Sequence, residues 1–397
     1  MELSSNNSWA NRKCLALECH QQKMKVNQMS QENRIAIRPT DHPIDEAKRN
    51  EILNDPGFGQ SFTDHMAIVK YSKDKGWHDG QVKAFENLNV SPAMMTFHYG
   101  QAIFEGMKAY RTPENDLVLF RPEKNARRFN KSAVRMAMPE IDEDLFIEAC
   151  EKLVRADEKW VPELEGQSLY LRPFMVASES HLGLRAANEY LFVIIASPVS
   201  PFFQSISEVP AISIFATDKY VRAVEGGTGE AKCAGNYAAS LIAKDEAYEH
   251  DCQDVLWRDA KERKYLEEMG TSNIGFISVA DGGKVSLRTP ALTGSLLDGV
   301  TRDSILTLAT DRGYEVFEEH LEFEDVISQI NNGKIKEAFS MGTAVTISPV
   351  GAIVSNDNKT VVGDGKAGEI TMSLREELID LQFGRIQDPH NWRHLVP

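Results

Sequence analysis

Short apolar runs alternate with amphipathic stretches along most of this chain, and the two periods separate strands from helices. Residues 117–120 and 190–196 are apolar, β-branched or aromatic and bounded by polar or turn residues, the pattern of buried strands. Residues 143–159 instead repeat every three to four positions, with Phe146, Ala149, Cys150, Leu153 and Val154 on one face, which predicts a helix packed on a core. Further strands are expected at 212–216, 254–257, 274–279 and 338–347, and a helix at 237–249. Periodicity lapses where Pro198, Pro201 and Pro210 cluster, which places a domain linker near residue 204. No internal repeat is visible.

Composition narrows the possibilities. The 397 residues suffice for two domains. With 44 Lys and Arg against 59 Asp and Glu, the formal charge of -15 opposes binding to nucleic acid or to an anionic membrane surface. Five cysteines, at 14, 19, 150, 233 and 252, are odd in number and form no C-x-x-C pair, as expected of reduced thiols. Cys14, Cys19 and His20 lack a fourth ligand nearby, so no metal site is expected. Residues 1–34 are rich in Ser, Asn, Gln and Lys without a long apolar run, and are expected to form a disordered tail rather than a signal or membrane segment. Glu2, Glu18 and Glu32 argue against an organellar presequence. The preferred reading is a cytoplasmic protein whose translation starts at Met24 or Met29, with an organellar presequence as the alternative.

The segment Gly226-Gly227-Thr228-Gly229-Glu230-Ala231-Lys232-Cys233-Ala234-Gly235-Asn236-Tyr237 carries the chemistry. Small residues let the backbone around one lysine approach a ligand closely. A phosphate-binding P-loop would need Gly before the lysine and Ser or Thr after it, but Ala231 and Cys233 stand there; a dinucleotide fingerprint would need its third Gly at position 232 itself. An exposed lysine in a flexible loop is the bland alternative. The remaining chemical reading is a Schiff-base lysine whose amine attacks an aldehyde, with Tyr237 about one helical turn away.

Together with Phe104-Glu105-Gly106-Met107-Lys108-Ala109-Tyr110 and Gly299-Val300-Thr301-Arg302, residues 226–240 resemble the branched-chain amino acid aminotransferases of the class IV pyridoxal-phosphate enzymes. The similarity runs from about Ile35 almost to the C-terminus. It implies a mixed α/β, two-domain fold type IV architecture like that of D-amino acid aminotransferases. Residues 35–203 would form a smaller N-terminal α/β domain, and 204–397 a larger cofactor-binding domain with a β-barrel-like sheet.

The same resemblance implies that Lys232 is the catalytic residue and carries pyridoxal 5′-phosphate. Arg128, Val300, Thr301 and Thr343 would hold the phosphate, as an anion at helix starts and small-residue turns requires. Glu268 would face the pyridine nitrogen, Thr271 would lie beside it in the Met269-Gly270-Thr271-Ser272-Asn273 turn, and Tyr237 would meet the ring oxygen. Glu267 is expected to be solvated. Gly275 departs from the family's usual aromatic residue, with Phe276 following it, which bears on local strand packing. Tyr99, Thr343 and Ala344 would bind the substrate carboxylate, Phe104, Tyr170 and Phe202 would wall an apolar pocket, and Arg172 would supply a polar end. Without the resemblance, Arg128 reads as a solvated helix arginine and each aromatic as core. Val345-Thr346-Ile347-Ser348 replaces the C-x-x-C switch of some members, so no thiol switch is expected.

The implied reaction is ping-pong amino transfer between leucine, isoleucine or valine and 2-oxoglutarate, in a homodimer whose Tyr99 reaches the adjacent subunit's site. D-amino acid transaminases and aminodeoxychorismate lyases fit the 232–240 block and the long N-terminal half less well. A non-catalytic homologue or a nucleotide-binding regulator is disfavoured by the joint presence of Lys232, Tyr237, Glu268, Arg128 and Thr301.

Overall fold

A computed structural model describes residues 34–200, 209–356 and 358–397. Among these, β-strands gather into two nine-stranded sheets, one built almost wholly from each half of the chain, giving a mixed α/β fold. The first sheet runs in the order β1 (Ile35–Ile37), β3 (Gly76–Ala84), β2 (His65–Ser72), β8 (Glu189–Val199), β7 (Ser168–Ala177), β5 (Met107–Arg111), β6 (Leu117–Phe120) and β18 (Arg393–Leu395), with β4 (Ala102–Phe104) paired to β7. Its closing strand comes from the far C-terminus, antiparallel to β6.

Along β7 buried and half-buried residues alternate, the period-2 pattern of a sheet with one fully covered face. Two helices provide much of the cover, α3 (Pro122–Arg135) and α4 (Glu143–Ala156), following α1 (Glu46–Asn54) and α2 (Met95–Tyr99) in chain order. Pro122 opens α3 where no amide is needed, and the Asp142 carboxylate caps α4 by accepting from the Leu145 amide at 3.1 Å. The apolar face foreseen at 146–154 is buried, and Phe146 meets Phe129 and Phe192 with ring centroids 5.4 and 5.5 Å apart. Each such ring contributes about 1.5–3 kcal/mol by leaving water. The helix stops at Ala156, short of the expected 159. Asp157 leaves the helix to accept from the His65 amide and ring, and a 3-10 turn follows at Glu158–Trp160.

The second, curled sheet has the order β11 (Leu266–Met269), β10 (Asp254–Arg258), β9 (Ile212–Ala216), β16 (Thr346–Ser355), β15 (Ile335–Gly342), β12 (Asn273–Val279), β13 (Val285–Pro290) and β14 (Glu315–Glu319), with β17 (Asn358–Val361) on β16. The remaining helices are α5 (Ala234–Glu249), α6 (Val300–Asp311), α7 (Phe323–Asn331) and α8 (Glu369–Phe383). The expected single strand at 338–347 is two antiparallel strands, β15 and β16, reversed at residues 343–345. Apolar residues continue on both sides of the turn, so hydrophobicity alone does not register it.

Gly275 does not weaken β12. A side chain there would crowd Leu287, Phe339 and Met341 at 3.1–3.3 Å, so these neighbours fill the space, while Phe276 packs into the core. A shared cluster joins the sheets: Tyr110, Val118 and Phe120 pack with Leu308, Leu374, Leu378 and Phe383, the Tyr110 and Phe383 rings 5.0 Å apart.

Candidate active site

A cavity of about 850 Å3 lies where the two sheets meet, and it gathers side chains from distant parts of the chain. Lys232 and Tyr237 enter from the glycine segment and the first turn of α5. Glu268 and Thr271 come from the end of β11, Val300 and Thr301 from the start of α6, and Thr343 and Ala344 from the β15–β16 turn. Arg128 projects from α3, Phe104 from β4, and Tyr170 and Arg172 from β7.

The Lys232 ammonium donates to the Tyr237 phenol oxygen at 2.8 Å and lies 4.8 Å from the Phe104 ring centre. Phe104 and Tyr237 meet edge to face at 4.7 Å, which fixes both rings beside the amine. Two glycines of this segment are sterically required: Gly226 adopts φ +76°, and a side chain at Gly229 would overlap the Ser295 carbonyl. Asn236 clamps this loop by donating to the Thr228 and Ala231 carbonyls at 2.7 and 2.9 Å.

Arg128 is buried rather than solvated, against the bare-residue reading. Its Nε and Nη2 donate to the two oxygens of Glu105, each at 2.7 Å, and Nη1 donates to the Asp298 carbonyl at 3.0 Å. Burial pushes the Glu105 carboxyl up, but the Arg128 charge and hydrogen bonds outweigh it and hold it below its ordinary range. No side chain caps the N-terminus of α6, and Gly299, Val300 and Thr301 at that end line the cavity.

At the opposite end, Glu268 is buried, paired with Arg222 at 2.5 Å and accepting from the Leu297 amide at 3.1 Å. Burial raises its carboxyl above the ordinary range, and Arg222 with the Leu297 amide offset only part of that rise. Glu267 is a correction: it is 5% exposed, not solvated, because alternation along β11 turns it to the other face of the strand, where it accepts from Ser295.

A lysine, a paired arginine at a free helix start and a buried carboxylate thus face one partly apolar cavity. The family model for amino-transferase class IV matches residues 102–353, which contain all of these groups. A probable branched-chain-amino-acid aminotransferase of Streptomyces coelicolor is 48% identical over 363 residues, covering 91% of this chain and 98% of the relative. Branched-chain-amino-acid transaminase 1 of Bacillus subtilis is 44% identical over 85% of this chain and 93% of its own. The chain belongs to the branched-chain-amino-acid aminotransferases of class IV.

Solved structures of the family agree with the fold. The Escherichia coli branched-chain amino acid aminotransferase superposes with a TM-score of 0.69 at 26% identity, covering 84% of this chain and 99% of its own. The Thermobaculum terrenum enzyme, solved in its PLP form, gives 0.69 at 23% identity, with coverage of 85% and 100%.

One expected family residue stands apart from the cavity set. Tyr99 does not line it; this tyrosine is 38% exposed and its hydroxyl donates to the Leu182 carbonyl. Phe202 lies outside the described residues, as do Cys14, Cys19, His20 and residues 1–33.

Other groups at this family site carried no assigned role in the sequence. Glu105 stands inside the Phe104–Tyr110 block, but nothing local marks it as the partner of Arg128, 23 positions away. Arg222 lies 46 positions before Glu268, and only the fold joins them. Lys108 donates to the Ala344 carbonyl at 3.1 Å, and burial, assisted by the Arg375 charge, lowers its ammonium to about 8. Among the described residues, no helix is long and apolar enough to cross a membrane.

Proposed function

We propose that the chain catalyses reversible amino transfer between L-leucine, L-isoleucine or L-valine and 2-oxoglutarate, yielding the branched 2-oxo acid and L-glutamate, with pyridoxal 5′-phosphate as cofactor. The reaction is the last step of branched-chain amino acid synthesis or the first of their breakdown. The observation that carries the reading is the placement of Lys232, Tyr237, Arg128 and Glu268 around one cavity.

The donor set fits the cofactor. The uncapped start of α6, Thr301, Thr343 and Arg128 suit a phosphate dianion, since amide dipoles and a guanidinium both stabilise negative charge. Glu268 suits a protonated ring nitrogen, whose charge would offset the burial that Arg222 leaves partly uncompensated. Tyr237 would meet the ring oxygen while keeping the lysine amine in place, and Thr271 and Val300 would border the ring. When bound, the cofactor supplies an aldehyde that takes up the amino group and a protonated ring that draws electrons from the substrate α-carbon.

Lys232 Nζ would hold the cofactor through its aldehyde carbon. As a free amine it would serve as the general base that takes the proton from the substrate α-carbon and as the acid that gives it back. Phe104 and Tyr170 wall the side-chain space, and Arg172, 4.7 Å over the Phe104 ring, offers its charge to the side-chain carboxylate of glutamate. Thr343 and Ala344 bind the α-carboxylate, with Phe202 as a further wall.

The active form is proposed to be a homodimer, because Tyr99 lies away from its own cavity and near the exposed Phe97 and Leu182. A boundary near residue 204 divides the chain into units 35–203 and 204–397, with β18 returning to the first. The three described cysteines are free thiols, in keeping with a cytoplasmic enzyme.

The test is optical. A near-visible band of the purified protein that leucine bleaches and 2-oxoglutarate restores supports the reading. A band indifferent to leucine would overturn the substrate, and no band after adding pyridoxal phosphate would overturn the chemistry.

A further inference from the structure

The backbone of the reactive lysine is held from both sides by the N-terminal half of the chain. The Lys232 carbonyl accepts from the Phe104 amide at 3.0 Å, and Cys233 forms an antiparallel bridge with Ile103. On its other side, the Lys232 amide donates to Ser132 Oγ at 2.9 Å. Ser132 is fully buried, and its hydroxyl donates in turn to the Arg128 carbonyl at 3.0 Å, one turn earlier on α3.

This arrangement uses both capacities of one hydroxyl. A serine inside a helix commonly donates to the carbonyl four residues back, which leaves its lone pairs free. Here the back-bond aims a lone pair at the lysine amide, and the amide gains the acceptor that a buried N–H requires. Arg128, Ser132 and Arg135 recur at i, i+4 and i+7, so they share one face of α3. Arg135 extends the same contact by donating to the Gly226 and Gly227 carbonyls at 3.1 and 3.0 Å. One helical face therefore carries the arginine, paired with Glu105, and grips both the glycine loop and the lysine.

We propose that Ser132 is a positioning residue that fixes the Lys232 backbone to the turn of α3 carrying Arg128, setting the separation between the lysine amine and the anion-binding guanidinium. The inference rests on the functional reading above. A cofactor that Lys232 and Arg128 held at its two ends would need that separation to be fixed. Ser132 does not touch substrate or cofactor; it acts through the backbone of the lysine.

The experiment compares wild-type holoenzyme with Ser132→Ala and with the near-isosteric Ser132→Cys, whose thiol is a weaker acceptor. Three quantities are read: the pH midpoint of the near-visible cofactor band, kcat and KM for leucine, and Tm. In Ser132→Ala the midpoint is expected to move by about half a unit or more, because the lysine's surroundings change. In the same variant kcat falls roughly ten- to a hundredfold, as a misplacement of about 1 Å can cause, while KM for leucine stays within about twofold. Ser132→Cys shifts the same quantities in the same direction by less, and carries the test should the alanine variant not fold. A lowered Tm with unchanged midpoint and kcat would show a merely structural serine and overturn the inference alone. A wild-type band that ignores leucine would remove the functional reading, and this inference with it.

Discussion

Arg222 Nε lies 2.5 Å from Glu268 Oε1, and both side chains are almost wholly buried, at 5% and 3% exposure. Glu268 lines the cavity, and the pair is tied to the 295–297 segment from both members: Arg222 donates to the Ser295 carbonyl at 2.8 Å and the Leu297 amide donates to Glu268. Arg222 thus opposes the burial that would otherwise neutralise the carboxylate. Removing it with Arg222→Met leaves Glu268 buried without its cation, a loss on the order of 3–5 kcal/mol if the charge persists. The expected result is protonation of Glu268 near neutral pH and a fall in kcat of about tenfold or more, since the ring nitrogen would lose the ionised partner proposed for it. Single-turnover kinetics with leucine checks it, and an unchanged rate would refute this role for the pair.

Glu105 makes a similar demand on Arg128. Its two oxygens take both Nε and Nη2, a fork geometry that a glutamine cannot reproduce because half of its head is itself a donor. Glu105→Gln is expected to lower stability by roughly 3 kcal/mol and to loosen Arg128 at the end of the cavity proposed to bind the anion. Denaturant titration gives the first quantity, and retention of cofactor during dialysis the second.

Gly106 lies against the pocket wall, where an added side-chain carbon would overlap the Tyr170 hydroxyl. Gly106→Ala must therefore turn Tyr170 away from Arg172, with which it is now hydrogen-bonded at 3.1 Å. Overpacking of this kind costs about 1–3 kcal/mol. KM for leucine and for 2-oxoglutarate should both rise, with a smaller change in Tm than Glu105→Gln causes; steady-state kinetics with each substrate reads the outcome.

His394 gives a pH dependence that is independent of the active site. It stands between Glu123 and Glu151, and its hydrogen bonds to them outweigh burial and raise it to about 9 from an ordinary 6.5. A raised folded value means the folded state binds the proton more tightly. The resulting stability is fully present below about 6.5, declines as pH rises, and is gone above about 9. Its worth is on the order of 1–2 kcal/mol for a side chain that keeps partial contact with water. Unfolding free energies of wild type and His394→Gln should differ at pH 6 and converge above about 9.5; a difference constant across that range would contradict the assignment.

Local patterning determined a good part of this protein. The strands at 117–120 and 212–216 follow from short apolar, β-branched or aromatic runs, and the helix from 143 from a period that buries one of its faces. The lysine proposed to react was legible too, since a run of glycines and alanines around one lysine is a local signal, and Tyr237 follows it by about one turn. The resemblance then supplied positions such as Arg128 and Thr301 that no period reveals.

Tertiary structure decided which charges are neutralised and by what. Arg128 reads as solvated until Glu105, 23 positions earlier, is folded against it, and Glu267 reads as solvated until Ser295 closes over it. The same holds for Arg222 with Glu268 and for Ser132, which meets the lysine amide across 100 positions. A sequence specifies its short-range periods directly, whereas ion pairs and buried hydrogen bonds depend on which distant surfaces the hydrophobic cores bring together. The chemistry proposed for this chain was therefore written locally at Lys232, and its alignment was set by contacts that exist only once the two sheets have met.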